Sequence, residues 1–576
     1  MNNTSKTPFG KRFRKTIITG VVLAGISSFA FVDDLFQVSK NIDIFSSLYK
    51  ELSMNYVDEV NPSEVMKTGI DAMLEDLDPY TEYIPESEIE NYKLKYVSTQ
   101  YGGVGSSIVL RDEKVIVSEV FEGFPAQKSD VRAGDEIIQI NGISLKGRTS
   151  EQVSQMLKGP KGTPVTLLVR RPETSQPLEK KVLREEIKQD NVSYYGMLPN
   201  DVGYIKLDKF LENSGQEVKD ALVALKKHKL NGLVLDLRYN GGGILQEAVK
   251  IVNLFVDKDV NVVLQKGRNR EKTVSYKTFN TPIEPELPLV VLVNNRSASA
   301  SEIVAGSLQD LDRAVVIGQR SFGKGLVQQT FNLPYNTLVK ITVAKYYTPS
   351  GRCIQALDYT HRDAEGSVIK VADSLISQYK TKSGRFVYDG SGVFPDVFVK
   401  PVKYNLITQT LASKFFIFDY ATKFRNENPK IAEAENFKLS ENEYSKFINF
   451  LSGKNYGYKT KTERLLNDLK DEADKENKLA EIKSEFDALN VKVSHSKKND
   501  LIQFKEEIRK VLESEIASRY YFERGRIEQA FQYDNDVNEA LKVIGNRPVL
   551  ASILKGEGSY KTIGKPGEDF SANSGK

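Results

Sequence analysis

Three short apolar runs, Gly232-Leu233-Val234-Leu235-Asp236, Pro288 to Val293 and Ala314 to Gly318, are separated by stretches whose apolar residues recur at helical spacing. Ile244 to Phe255 is one such stretch, and Ser301 to Leu311 is another. Strands alternating with helices require right-handed crossovers, which build a parallel sheet with helices packed on it. In a parallel sheet, ligands bind beyond the carboxyl ends of the strands. The chemistry of this chain must therefore be sought in the loops that leave these three runs.

Each loop carries a different resource. Arg238-Tyr239-Asn240-Gly241-Gly242-Gly243 is glycine-rich backbone whose N–H groups can approach a ligand closely. Asn294-Asn295-Arg296-Ser297-Ala298-Ser299-Ala300-Ser301-Glu302-Ile303 sets three hydroxyls where a helix begins. There the Ala300 N–H and the positive end of the helix dipole favour developing negative charge. Ser321-Phe322-Gly323-Lys324-Gly325 sets an amine between two glycines, with Phe322 expected to wall an apolar pocket around its stem. Burial disfavours the charged form of lysine and lowers its pKa, and a neutral amine accepts a serine proton. Histidine, the usual base, is nearly absent: His228, His361 and His495 lie in polar surroundings that read as solvated. On chemistry alone Ser297, Ser299 and Ser301 are equal candidates, and Ser301 followed by Glu302 also reads as a helix N-cap. A phosphate-binding loop is a poor reading, since no Gly-x-x-x-x-Gly-Lys-Ser/Thr pattern occurs.

The stretch from Leu233 through Gln329 resembles the C-terminal processing, or tail-specific, peptidases. That family carries an Asp-Leu-Arg-x-Asn-x-Gly-Gly loop, a Ser-Ala-Ser-Ala-Ser-Glu segment and a Phe-Gly-Lys-Gly segment, and all three occur here in order. The resemblance implies Ser299 as nucleophile, Lys324 as its base and Gln328 as the residue that orients the lysine. It implies Ala300 and Gly242 as oxyanion donors. It also implies an α/β fold, α+β over the whole chain, with a crotonase or ClpP-like parallel-sheet core.

Upstream, Gly103-Val104-Gly105, a strand Lys114 to Val120, Phe124-Pro125-Ala126, Ala133 to Gly142, a helix near Ser150 to Leu157 and a strand Val165 to Arg171 resemble a PDZ domain. Such domains cradle a chain-end carboxylate in backbone N–H groups and add the peptide as a strand on an open sheet edge. The implied carboxylate loop is Tyr101, Gly102, Gly103, Val104 and Gly105, with the peptide along Ser106 to Leu110. Ser107 replaces an expected apolar residue. Together the resemblances imply a serine endopeptidase that holds unfolded or tagged protein C-termini and cleaves through an acyl-enzyme. An adaptor protein is a further partner class. A non-catalytic PDZ scaffold is the alternative, opposed by the complete set of serine, lysine, glutamine and glycine loop. A crotonase-like acyl-CoA hydrolase would leave the PDZ and the export signal without a purpose.

Lys6, Lys11, Arg12, Arg14 and Lys15 precede an uncharged stretch from Thr16 to Val32. Basic residues before a short apolar run mark an export signal, and this run is nearly long enough to remain as a membrane anchor. The expected location is the bacterial periplasm or the periplasmic face of the inner membrane. The organisation read from sequence is a signal or anchor over 1–32, a helical region over 33–97, a PDZ domain over 98–187, a peptidase core over 188–400 and a helical extension over 401–576. Leu77-Asp78-Pro79-Tyr80-Thr81 resembles the family's Leu-Asp-Pro-His-Ser element, with tyrosine and threonine substituted. In relatives the helices around it pair two subunits, so a homodimer is expected. Beyond residue 400, Leu465, Leu469, Ala473, Leu501, Phe504, Ile508 and Leu512 recur at helical spacing and read as a bundle packed on the core. A net charge of +4 over 576 residues, with no basic stripe, does not imply nucleic acid. The lone Cys353 and the absence of His-Glu-x-x-His imply neither a disulfide nor a metal, and no cofactor is expected.

Overall fold

The computed structural model describes residues 36–97, 100–172, 174, 176–268, 273–362, 367–493 and 497–566. The expected export segment and His495 lie outside the described residues. The chain divides into two compact units, Met1–Tyr83 with Thr330–Ile341, and Ile84–Gln329 with Thr342–Lys576.

In the first unit, a helix spans 36–55 and another Pro62–Glu75. Asn61 starts the second by accepting the Ser63 N–H at 3.0 Å, and Pro62 gives up an N–H that has no helical partner anyway. Asp78 accepts the N–H groups of Tyr80 and Thr81 at 2.8 and 2.9 Å, so the Leu-Asp-Pro-Tyr-Thr element is a carboxylate-closed turn. Phe36, Ile42, Phe45, Leu48 and Met73 are exposed. Among the described residues no helix is long and apolar enough to cross a membrane.

In the second unit, the PDZ sheet is built of β1 (Ser106–Arg111), β2 (Lys114–Val120), β3 (Glu136–Ile140), β4 (Ile143–Ser144), β5 (Pro164–Arg170) and β6 (Leu178–Leu183). Its order is β1-β2-β3-β5-β6, with β4 beside β3, so β1 is an edge strand. Period-2 alternation turns Val115, Val117, Val165, Leu167 and Val169 inward, where they pack with Val153 and Leu157 of α1 (Ser150–Leu157). Thr149 and Gln152 cap α1 reciprocally. Gln100–Gly103 pairs antiparallel with Glu185–Lys188. Tyr101, Gly102 and Gly103, expected in a loop, thus lie in a two-stranded ribbon where the chain enters and leaves this sheet.

The central sheet is β7 (Val192–Leu198), β8 (Val202–Leu207), β9 (Gly232–Asp236), β10 (Leu289–Val293), β11 (Val315–Gly318) and β12 (Val397–Phe398), ordered as numbered. All are parallel except β7, which forms a hairpin with β8. Leu233, Leu235, Val291 and Val293 face α2 (Ser214–Leu225), α3 (Leu245–Val252) and α4 (Ala300–Asp310). Val234, Val290, Leu292 and Ile317 face the opposite way, onto Val537, Ala540 and Ile544 of α5 (Asn535–Gly545) and Ile553 of α6 (Arg547–Lys555). Both faces are covered, which is why these strands read as unbroken apolar runs.

The second layer comes from the far end of the chain. Helices Phe416–Glu427, Glu441–Phe450 and Lys505–Ala530 first enclose a core of their own around Tyr420, Phe447, Ile508 and Leu512. A break at Phe522, with φ 57° and ψ −152°, redirects the long helix before α5 and α6 reach the sheet. Arg111 of β1 forks onto Asp419 at 2.7 and 2.9 Å, tying the PDZ domain to these helices. Ile544 is 2% exposed and sits over Gly232, where an added Cβ would come within 2.5 Å of it. Replacing Ile544 with alanine is expected to cost about 2–4 kcal/mol by the cavity left under the sheet. Denaturant titration checks this, and an unmoved midpoint would show that α5 is not part of the core.

Candidate active site

Ser299 lies between β10 and α4, at the carboxyl end of the sheet, as the helix N-cap with φ 55° and ψ −113°. Such a conformation is strained for a residue with a Cβ and persists only where its surroundings enforce it. Its two neighbours are enforcers rather than rivals. Ser297 is fully buried, and its hydroxyl donates to the Leu237 carbonyl at 2.8 Å and accepts the Asn294 N–H at 2.9 Å. Ser301 is fully buried too and donates to the Asn240 carbonyl at 2.9 Å. Ser299 alone of the three is partly accessible.

Glu302, fully buried in the first turn of α4, joins this serine to the lysine loop. Its Oε2 accepts the Ser299 N–H at 2.8 Å and the Lys324 N–H at 2.9 Å. Its Oε1 accepts the Ser321 hydroxyl at 2.5 Å and the Gly323 N–H at 2.7 Å. Burial raises the Glu302 pKa above the usual carboxylate range, and these four donors offset only part of that rise. The Tyr346 hydroxyl adds a second tie, lying 3.0 Å from the Ser299 carbonyl oxygen and also contacting that of Lys324. Gly325 donates to Gln355 at 2.7 Å, and Phe322 donates to the Ser297 carbonyl at 3.0 Å. The backbone around Lys324 is therefore set against the Ser299 turn on both sides. Lys324 is half-buried, but Phe322 is 47% exposed, so the closed apolar wall expected from it is not formed. Gln328, on the strand Leu326–Leu333, donates its side-chain amide to Thr342 at 3.1 Å.

The glycine loop backs the serine. Gly242 has φ +92°, and a Cβ there would stand 2.7 Å from Ser299 Cβ and 2.8 Å from the Ala300 nitrogen. Only glycine fits. The Gly242 N–H, however, donates to Asn240 Oδ1 at 2.9 Å. Expected as an oxyanion donor, it is engaged within its own loop, and what this glycine supplies here is space. The Ala300 N–H, by contrast, meets no protein acceptor among the described residues. Asn240 is buried and holds the assembly: its side chain donates to the Leu207 carbonyl at 2.8 Å, and its own carbonyl accepts the Ala298 N–H at 3.0 Å.

On the PDZ domain, a groove of about 420 Å³ runs between β1 and α1. Tyr101, Gly103, Val104, Gly105, Ser107 and Lys158 line it, so four of the five residues expected to receive a chain end border it. Gly102 sits instead against the Gly159 carbonyl, where a Cβ would clash at 2.1 Å. His228 and His361 are exposed.

A hydroxyl on a strained turn, a free N–H at a helix start and a lysine on a loop whose backbone is tied to that turn are parts from which an acyl-transfer site is made. Sequence reasoning missed Glu302 and Tyr346. The sequence holds a signal for Glu302: Ser-x-x-Glu is a capping box when counted from Ser299, whereas counting from Ser301, which also reads as an N-cap, leaves Glu302 merely in the first turn.

Comparison with known proteins gives the family of the chain. Residues 201–363 match Peptidase family S41, residues 95–170 match the PDZ domain, and residues 407–544 match the C-terminal helical domain of probable PDZ-proteases. The chain is 34% identical over 325 residues to a carboxy-terminal-processing protease of Bartonella bacilliformis, covering 56% of this chain and 74% of that protein. It is 34% identical over 366 residues to a probable CtpA-like serine protease of Staphylococcus aureus, covering 61% of this chain and 72% of that one. Among solved structures it is similar to the photosystem II D1 C-terminal processing protease, at 26% identity and a TM-score of 0.34 over 62% of this chain and 92% of that one.

Glu302→Gln places an NH2 group against N–H or O–H donors at one end of the carboxylate. The variant is expected to lose about 1–3 kcal/mol of stability and at least about tenfold in hydrolytic rate. Thermal unfolding together with a cleavage assay checks both, and an unchanged rate would show that the carboxylate does not set the serine.

Proposed function

The chain belongs to peptidase family S41, the carboxy-terminal-processing proteases, and from that premise we propose that Ser299 is its nucleophile and Lys324 its general base. The enzyme is a serine peptidase with a PDZ domain, which sets aside the non-catalytic scaffold. The observation that carries the residue assignment is the single buried carboxylate of Glu302 bonded to the backbone of both.

In this reading, neutral Lys324 Nζ takes the Ser299 proton as Oγ attacks a peptide carbonyl. The Ala300 N–H, at the positive end of α4, receives the developing oxyanion. Lys324 then gives its proton to the leaving amine, and the same amine activates the water that releases the acyl group. Gln328, on the strand after the lysine loop, helps to orient Lys324. The PDZ groove takes the substrate's C-terminal carboxylate, and the residues before it pair with the open edge of β1.

Purified chain lacking residues 1–32 tests the assignment on an unfolded protein with a defined C-terminus. Ser299→Ala and Lys324→Ala are expected to abolish cleavage, whereas Ser301→Ala remains active. Lys324→Arg is expected to be inactive, since a guanidinium does not give up its proton. Cleavage surviving Ser299→Ala would remove the serine from its role.

The proposal extends to place and assembly. Residues 1–32 export the enzyme to the periplasmic side of the inner membrane. The apolar side chains left exposed on the helix over 36–55 pair with a second copy. Fractionation of cells expressing the full chain is expected to recover it outside the cytoplasm, and sedimentation of residues 33–576 to give the mass of two chains. A cytoplasmic pool or a monomer at micromolar concentration would refute the corresponding half.

A further inference from the structure

The glycine loop behind Ser299 is gripped from the far end of the chain. Arg238, the residue that opens this loop, lies mostly buried among three carboxylates, its side chain 13% exposed. Its Nε donates to both oxygens of Asp236 at 3.0 Å, and its Nη2 to Asp236 Oδ2 at 2.6 Å. The remaining donors leave the central sheet. Nη1 reaches Asp534 Oδ1 at 2.9 Å and Asp536 Oδ2 at 2.8 Å, and Nη2 reaches Asp534 Oδ2 at 2.8 Å. Asp534 is itself the N-cap of α5, accepting the N–H groups of Asp536 and Val537 at 3.0 and 3.1 Å.

This grip has a short path to the reacting atoms. The residue after Arg238 is Tyr239, which stands at φ 65° and donates its N–H to Asn294 in the serine loop at 3.0 Å. Asn240 follows, carrying the Ala298 N–H and the Ser301 hydroxyl on its carbonyl. Gly242, two residues on, lies against Ser299 and the Ala300 nitrogen. The three glycines bring no side-chain packing, so the loop is placed by Asn240 in its middle together with the anchors at its ends. At the Arg238 end, two of the three anchoring carboxylates belong to the C-terminal helices.

We infer that Asp534 and Asp536 are positioning residues for peptide hydrolysis: by holding Arg238 they set the 238–243 loop behind Ser299, which makes the C-terminal helical region a working part of the active site. The inference rests on the Ser299 reading. Neither aspartate touches substrate, so removing their charge changes the geometry in the transition state more than substrate capture by the PDZ groove.

The test compares Asp534→Asn, Asp536→Asn and the double variant with two controls in the full-length protein. Asparagine still caps a helix, so α5 retains its start. Ile544→Ala is the first control, because it loosens the packing of α5 on the sheet without touching the Arg238 cluster. Glu441→Gln, which removes an exposed charge facing Lys505 and Arg509, is the second. All are assayed below their melting temperatures on the same unfolded substrate. The double aspartate variant is expected to lose about 10–100-fold in kcat, with KM held within about twofold, since a small misplacement near reacting atoms has that effect. Both controls are expected to keep kcat. Aspartate variants with full kcat, a loss confined to KM, or an equal loss of kcat in Ile544→Ala would each overturn the inference. Wild type that cleaves nothing would instead sink the Ser299 reading, and this inference with it.

Discussion

One carboxylate, that of Glu302, has no access to water and four donors around it, and the candidate site is arranged about that fact. A buried charge is tolerated only where its hydrogen-bonding capacity is filled. Filling it here requires the Ser299 and Lys324 backbones to converge on the same oxygen. The constraint also explains the strain at Ser299, whose positive φ would otherwise relax at a gain of about 1–3 kcal/mol. The other two serines reinforce it, each spending its hydroxyl on a carbonyl of the neighbouring glycine-loop strand end.

The sheet beneath these loops is finished by residues more than 100 positions downstream of its last strand. Helices α5 and α6 close the face that α2, α3 and α4 leave open. The C-terminal helical region thus holds the peptidase core by apolar packing under the sheet and by ion pairs at Arg238, among other contacts. It also meets the PDZ domain, through the Arg111 fork on Asp419. A chain cut at residue 400 would expose Val234, Val290, Leu292 and Ile317 together, which a parallel sheet does not tolerate.

Much of this was legible in the residues. The apolar runs marked β9, β10 and β11, the helix read near Ser150 to Leu157 is α1, and the strand read at Lys114 to Val120 is β2. These elements carry strong local periodicity and clear caps, so tertiary context had little to override. Phe322 is exposed where a pocket wall is expected, because an aromatic beside a lysine says nothing about which way either faces. Tyr101 to Gly103 form a strand where their glycines suggest a turn, because the partner strand that straightens them lies more than 80 residues away.

By itself the sequence determined the parallel sheet, the PDZ order and the chemical identity of the loops at the strand ends, since all three follow from periodicity and residue type within short windows. Tertiary structure alone decided which serine of three stays accessible, that Gly242 lends space while its N–H is turned to Asn240, and that aspartates near residue 535 reach an arginine near the nucleophile. Those depend on burial and on long-range pairing, where a hydrogen-bonding group is used by whichever neighbour the fold brings to it.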